Sequence, residues 1–257
     1  LDRPPDLRFD CRVARGLTNH APRSWANASH APVATTGGTI FLARAESAPA
    51  EPFDPAARKL LVSPFGLDGT YSDEQFLDRY NGDLANDLGN LLSRIVTLIE
   101  GGLSGTIPAQ PEAPEARELE PAAAGAHAAW RAAFDEYDFS GGLSAVWGLV
   151  GETNRFLVRH APWALASDPS RAETHRAVLW GAAEALLQAA AMAHPAMPRA
   201  SVEIASRLGS PLPRDLSAFR WGLLAAGKRV SKGGPLFPRM DKASYFKESK
   251  TVDDAKP

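Results

Sequence analysis

The stretch NGDLANDLGNLLSRIVTLI, from Asn81 to Ile99, decides how this chain folds. Leu84, Leu88, Leu91, Leu92, Ile95, Leu98 and Ile99 recur at three- and four-residue steps, which gathers them on one face of an α-helix. At about 100° per residue, Asn86, Asn90, Arg94 and Thr97 gather on the opposite face. One face can build a core. The other carries two amides, a guanidinium and a hydroxyl, one turn apart.

Working outward, Phe76, Leu77 and Tyr80 carry the apolar stripe back towards Ser72, which stands as an N-cap with Gln75 at the matching capping-box position. Pro64-Phe65-Gly66-Leu67-Asp68-Gly69 reads as a turn-rich loop before it. Residues 1–55 are rich in Pro, Ala and Arg, show no sustained period, and are expected to be irregular or disordered. Within them only Thr39-Ile40-Phe41-Leu42 reads as a short strand. Asp2, Asp6 and Asp10 argue against a transit peptide, which is poor in acids.

Downstream, Gly101-Gly102 is a stop signal, and residues 104–122, acidic and Pro-rich, read as an exposed connection. Helices are expected over Ala123 to Tyr137, Phe139 to about Arg159 after Asp138, about 170–193 after Asp168-Pro169, and Pro198 to Leu208 before Gly209. Pro162 explains the break between the second and third of these. No strand–helix–strand alternation appears, so the fold class is all-α, an antiparallel helical bundle with short loops. Its expected divisions are an irregular segment over 1–55, the bundle over 56–209, an irregular tail over 210–241 that packs back, and a flexible, charged 242–257.

The chain has 257 residues, enough for one large domain or two small ones, and 44% apolar content can fill a core. A net charge of −2 gives no global pull towards nucleic acid or anionic membrane, so any RNA binding must come from a local face. The single Cys11 excludes an intrachain disulfide and a Cys-based zinc site. No apolar run approaches the roughly 18 residues that span a bilayer.

Catalytic signatures are absent: no phosphate-binding Gly-Lys-Ser/Thr loop, no G-x-G-x-x-G, no H-E-x-x-H and no G-x-S-x-G. His20, His30, His127, His160, His175 and His194 form no ligand pair at helical spacing, and no metal is expected. Asp135, Glu136 and Asp138 sit where caps and solvated charges belong. What remains is a binding face. Asn90 and Arg94 offer donors and acceptors that read base edges, and Trp163, held by Pro162, offers a stacking platform for single-stranded RNA. The alternative is a solvated Asn90–Arg94 face with Trp163 in the core.

Several motifs standing in one order bear on that choice. Pro64 to Gly69, Asn81 to Arg94, Tyr137-Asp138-Phe139-Ser140, Asn154-Arg155-Phe156 and Ala161-Pro162-Trp163 are followed by His194 to Pro198 and Pro235-Leu236-Phe237-Pro238-Arg239. Over roughly residues 56–242 the chain resembles methionyl-tRNA synthetases beyond their catalytic core. The resemblance implies the anticodon-binding helical bundle of a class I synthetase. It implies that Asn90 and Arg94 engage the first base of the CAU anticodon of methionine tRNA while Trp163 stacks. Asn86, one turn before Asn90, is a fourth candidate. The closing Pro235–Arg239 tail is expected to run back towards a catalytic domain.

The family's HIGH-like and KMSKS-like motifs are not present. His20-Ala21-Pro22-Arg23, His30-Ala31-Pro32-Val33 and Val230-Ser231-Lys232-Gly233 do not supply them. No methionine activation is therefore expected from this chain alone, with ATP and methionine belonging to the complete enzyme. The first residue is Leu, as expected of a fragment or an incomplete gene model. The expected partners are methionine tRNA and a missing catalytic domain, with no DNA or membrane, in the cytoplasm or alternatively a mitochondrion or plastid. A second expectation is a non-catalytic scaffold or regulatory paralogue, which would bind a protein partner around Phe65 and Phe237.

Overall fold

The first helix opens where Ser72 turns the backbone into extended conformation and its hydroxyl accepts the Gln75 N–H at 3.4 Å. The computed structural model describes residues 72–245 apart from 214 and 216–218, together with the backbone of residues 35–36 and 39–40. The Pro64–Gly69 loop, Phe65 and most of residues 1–55 lie outside the described residues. Within that segment Thr39–Ile40 (β2) pairs antiparallel with Thr35–Thr36 (β1).

The organising stretch is continuous but not uniform. It runs as α1 (Asp73–Arg79), a π-helical segment (Tyr80–Gly89) and α2 (Asn90–Gly102). In the π segment the backbone closes wider turns, as where the Asn90 N–H reaches the Ala85 carbonyl. The α-helical period therefore describes α2 and not the residues before it. Leu84, Leu88, Leu91, Leu92, Ile95 and Ile99 are buried as the stripe requires, and the wider turn also brings Ala85 and Gly89 inside.

A 3₁₀ turn (Pro114–Arg117) leads to α3 (Glu120–Asp135) and α4 (Phe139–His160), followed by the single turn α5 (Pro162–Leu165). A second 3₁₀ turn (Pro169–Arg171) opens α6 (Ala172–Ala193), and α7 (Pro198–Arg207) closes the bundle. Asp138 caps α4 by accepting the Gly141 N–H at 2.7 Å. Asp168 accepts the N–H and hydroxyl of Ser170, bonds that hold its carboxyl below the usual range.

Two contacts fix the helix directions. The indole N–H of Trp147 donates to the Asp83 carbonyl at 3.3 Å, and Arg94 donates to Asn154 at 3.3 Å. Both partners advance together, so α4 runs parallel to the first column while α3 and α6 run against it. Every residue from Ala177 to Ala193 is buried, which makes α6 the central helix, apolar almost all round. Burying each of its Leu and Val side chains contributes roughly 1.5–3 kcal/mol before entropy is charged against it.

Residues 104–122 correct the expectation of an exposed connection. Pro114, Glu112 and Glu118 are exposed, but Ile107, Ala116 and Leu119 are buried. The Ile107 N–H donates to the Lys228 carbonyl at 2.8 Å, and its own carbonyl accepts the Gly227 N–H at 2.8 Å. A few apolar anchors spaced along a polar segment are enough to dock it. The C-terminal end differs in the same way: residues 242–245 form a helical turn, Tyr245 is buried, and its hydroxyl donates to Asp73 at 2.9 Å. The expected fraying does not reach that turn, and residues 246–257 lie outside the described ones.

At the far end of α2 the helices pack closely. A Cβ at Gly102 would sit 2.4 Å from the His175 ring, so only glycine lets α6 approach. Burial lowers the pKa of His175. It also lowers those of His194 and His127, the latter helped by the nearby Arg131 charge. The folded state then binds fewer protons than the unfolded one. Stability from these groups is present above the unfolded value of about 6.5 and is lost as pH falls from there towards the depressed folded values. The thermal midpoint is expected to fall between about pH 7.5 and pH 5.5, and His175→Gln to flatten part of that slope. A midpoint level across that range would overturn the assignment.

Candidate functional site

The polar face of the long column is exposed as the periodicity predicts: Asn86, Asn90 and Thr97 face solvent and Arg94 is half-buried. Arg94 does not point freely into water. Its guanidinium donates to the side-chain oxygen of Asn154 at 3.3 Å, while the Asn154 amide donates back to the Val150 carbonyl at 3.3 Å. Asn154 thus orients one fork of the guanidinium and leaves its other donors for a ligand. No role for Asn154 was legible beforehand, although it opens the Asn154-Arg155-Phe156 motif. A contact across 60 positions of chain has no local signature.

Trp163 is 51% exposed, so it is not a core residue. Its backbone is held from both sides. Ala161 ends α4 in the left-handed region, φ 43°, with its N–H on the Leu157 carbonyl, a conformation that costs a non-glycine residue about 1–2 kcal/mol. Pro162 and Leu165 on either side of the indole are buried. The turn before it is fixed by Glu118, whose carboxylate pairs with Arg159 and lies 2.7 Å from Nε2 of His160. The docked 104–122 connection therefore supports the turn that presents the tryptophan.

Arg94 and Trp163 are linked through α4. From Asn154 to Ala161 the helix rises about 10 Å, at roughly 1.5 Å per residue. The tryptophan thus stands beyond the end of the helix that holds Arg94 in place. Among the described residues Trp163 has no ring partner.

The electrostatics are mixed. Asp83 pairs with Arg79 at 3.3 Å, while the Asp87 carboxyl is raised by burial and, second, by the charge of Asp83. Near α4 the surface cations are matched, Arg155 by Glu152 and Arg159 by Glu118. Such exposed pairs add little stability. Among the described residues no group of His, Cys, Asp and Glu could hold a metal ion, and no helix is long and apolar enough to cross a membrane.

The tail runs along this same column. The Tyr80 hydroxyl donates to the Pro238 carbonyl at 2.9 Å, and burial pushes its pKa up to about 12. Phe237 is half-buried, edge-on to Tyr80 with ring centres 6.3 Å apart.

No family model matches the chain. It is 37% identical over 199 residues to the methionine–tRNA ligase of Caldanaerobacter subterraneus subsp. tengcongensis, covering 75% of this chain and 31% of that protein. Identity to the methionine–tRNA ligase of Bacillus subtilis is 36% over 185 residues, covering 69% of this chain and 27% of that one. Among solved structures, the apo methionyl-tRNA synthetase of Mycobacterium tuberculosis superposes with a TM-score of 0.63 at 33% identity. That match covers 70% of this chain and 37% of the synthetase. The same synthetase with methionyl-adenylate superposes at 0.61. The chain spans about a third of the length of these relatives, as a C-terminal helical stretch would.

Proposed function

The chain is a relative of the methionyl-tRNA synthetases over about 70% of its length, and on that premise we propose that it is their anticodon-recognising helical part. Asn90 and Arg94 engage the first base of the CAU anticodon, Asn86 lies beside them, and Trp163 stacks on a base. In the complete enzyme, acting in the cytoplasm, this part positions methionine tRNA for attachment of methionine at the expense of ATP.

The observation that carries the reading is the half-exposed Trp163 on a proline-anchored single helical turn. Exposing so large an apolar surface forgoes about 1.5–3 kcal/mol of burial, and single-stranded RNA offers the ring faces that would cover it. Arg94, oriented by Asn154 and free at its remaining donors, suits a base edge.

The test is binding of a CAU anticodon stem-loop against one altered at the first base, at fixed salt. Wild type is expected to prefer CAU, and Asn90→Ala to lose most of that preference, about 1–3 kcal/mol or roughly 5- to 150-fold. Equal affinity of wild type for both loops would overturn the reading.

A further inference from the structure

Trp163 leaves the bundle through a single joint, and Glu118 grips the helix just before it. The Ala161 N–H closes α4 on the Leu157 carbonyl at 3.1 Å, while the Ala161 carbonyl accepts the Ala164 N–H at 2.8 Å and the Leu165 N–H at 3.3 Å. The angle between α4 and α5 is therefore set at Ala161, whose left-handed backbone, φ 43° and ψ 61°, would suit glycine better than alanine. Such a conformation persists only where the surroundings over-determine it.

Glu118 contributes to that constraint. One of its carboxylate oxygens pairs with Arg159, and the other lies 2.7 Å from Nε2 of His160. Arg159 and His160 are the last two residues of α4 and point about 100° apart around its axis. A grip on both fixes the roll of the helix end, whereas a grip on one would leave it free to turn. Glu118 also stands on a firm base. A Cβ at Gly181 of α6 would lie 3.0 Å from the Glu115 carbonyl oxygen and 3.6 Å from that of Ala116, so the connection sits directly on the central helix. The Trp221 indole N–H donates to the same Ala116 carbonyl at 3.0 Å, and Leu119 is buried. Exposed ion pairs add little stability, so this grip has little to offer the fold itself.

We propose that Glu118 is a positioning residue for base stacking: by holding Arg159 and His160 together it fixes the direction in which Trp163 faces the RNA. The proposal rests on the anticodon reading above and adds to it that residues 115–118 act on recognition through the tryptophan.

The experiment measures affinity of the full chain for the CAU stem-loop and a loop altered at the first base, with a thermal melt on the same samples. Glu118→Ala is expected to weaken both loops alike, about five- to tenfold, with the melt nearly unchanged. On charge alone, removing an anion would strengthen RNA binding, so the expected loss has the opposite sign to the electrostatic effect. In a Trp163→Ala background Glu118→Ala is expected to cost nothing more, because it acts through the indole. Glu118→Gln keeps one acceptor and is expected to fall between wild type and Glu118→Ala. In the RNA-free chain labelled with 5-fluorotryptophan, the fluorine line that Trp163→Phe removes is expected to shift or broaden in Glu118→Ala. Should Glu118→Ala not fold, Arg159→Gln/His160→Gln removes the same grip and is expected to give the same losses. An equal loss in the Trp163→Ala background, or a loss that follows the melt, would overturn the proposal. Wild-type affinity in Glu118→Ala, with Asn90→Ala still losing its preference for CAU, would overturn it and leave the anticodon reading standing. If wild type binds neither loop, both readings fall together.

Discussion

Trp163→Ala is expected to weaken binding of a CAU stem-loop by roughly 5- to 150-fold, the equivalent of about 1–3 kcal/mol for one stacked base. The same substitution is expected to leave the unfolding midpoint nearly unchanged. Half the side chain is in water already, and surface substitutions shift stability by about 0.5 kcal/mol or less. The anchoring of that turn comes from Pro162, Leu165 and the Glu118 pairings, none of which the indole makes. Trp163→Phe keeps a ring face and is expected to recover part of the affinity. The measurement pairs a stem-loop titration with a thermal melt on the same samples. Affinity that survives in Trp163→Ala would remove the tryptophan from the reading. Affinity lost together with the melt would mark it as structural.

How much of this was legible before the fold can be judged residue by residue. The helix starts at Ser72, Asp138 and Asp168 and the break at Pro162 were legible, because caps and prolines act locally and through the backbone. The buried stripe was legible over Leu91 to Ile99, where the helix keeps the α period; Leu84 and Leu88 are buried too, although the π segment departs from that period. The π turn was not: periodic templates assume one turn size, and nothing between Tyr80 and Gly89 announces a wider one. The docking of residues 104–122 was hidden because Ile107, Ala116 and Leu119 are too sparse to dominate an acidic, Pro-rich composition. At the site, exposure of Asn86, Asn90 and Trp163 could be weighed from the residues. The contact between Arg94 and Asn154 could not, since it joins segments far apart in the chain.

Glu184 shows the same limit most sharply, and its removal carries the largest expected cost in stability. Within the buried run of residues 177–193, where Gln188 is the other polar side chain, its carboxylate is fully buried. One oxygen accepts the Gly222 N–H at 3.0 Å, the Leu223 N–H at 3.0 Å and the Gln188 amide at 2.7 Å. The other accepts the Leu224 N–H at 2.7 Å. Gln188 also donates to the Arg220 carbonyl at 2.6 Å, and the Trp221 indole donates to the Ala116 carbonyl at 3.0 Å. An irregular segment with no ladder of its own thus finds its acceptors on the central helix. Glu184→Ala would leave a buried Leu224 N–H and two partly buried neighbours without acceptors, and would open a void. The expected loss is about 3–5 kcal/mol, read as a fall in the urea midpoint. Glu184→Gln keeps one acceptor but turns an N–H towards another donor, and is expected to cost about 1–2 kcal/mol. Hydrogen exchange at 222–224 is expected to rise before exchange in α6 does, because the segment can detach while the helix stays packed. Residues 227–230 return from this segment to Gly105 and Ile107, and the tail to Arg239 follows them. A cost below about 1 kcal/mol for Glu184→Ala would mean that water replaces the carboxylate at little loss, and would overturn the anchoring of residues 222–224 by Glu184.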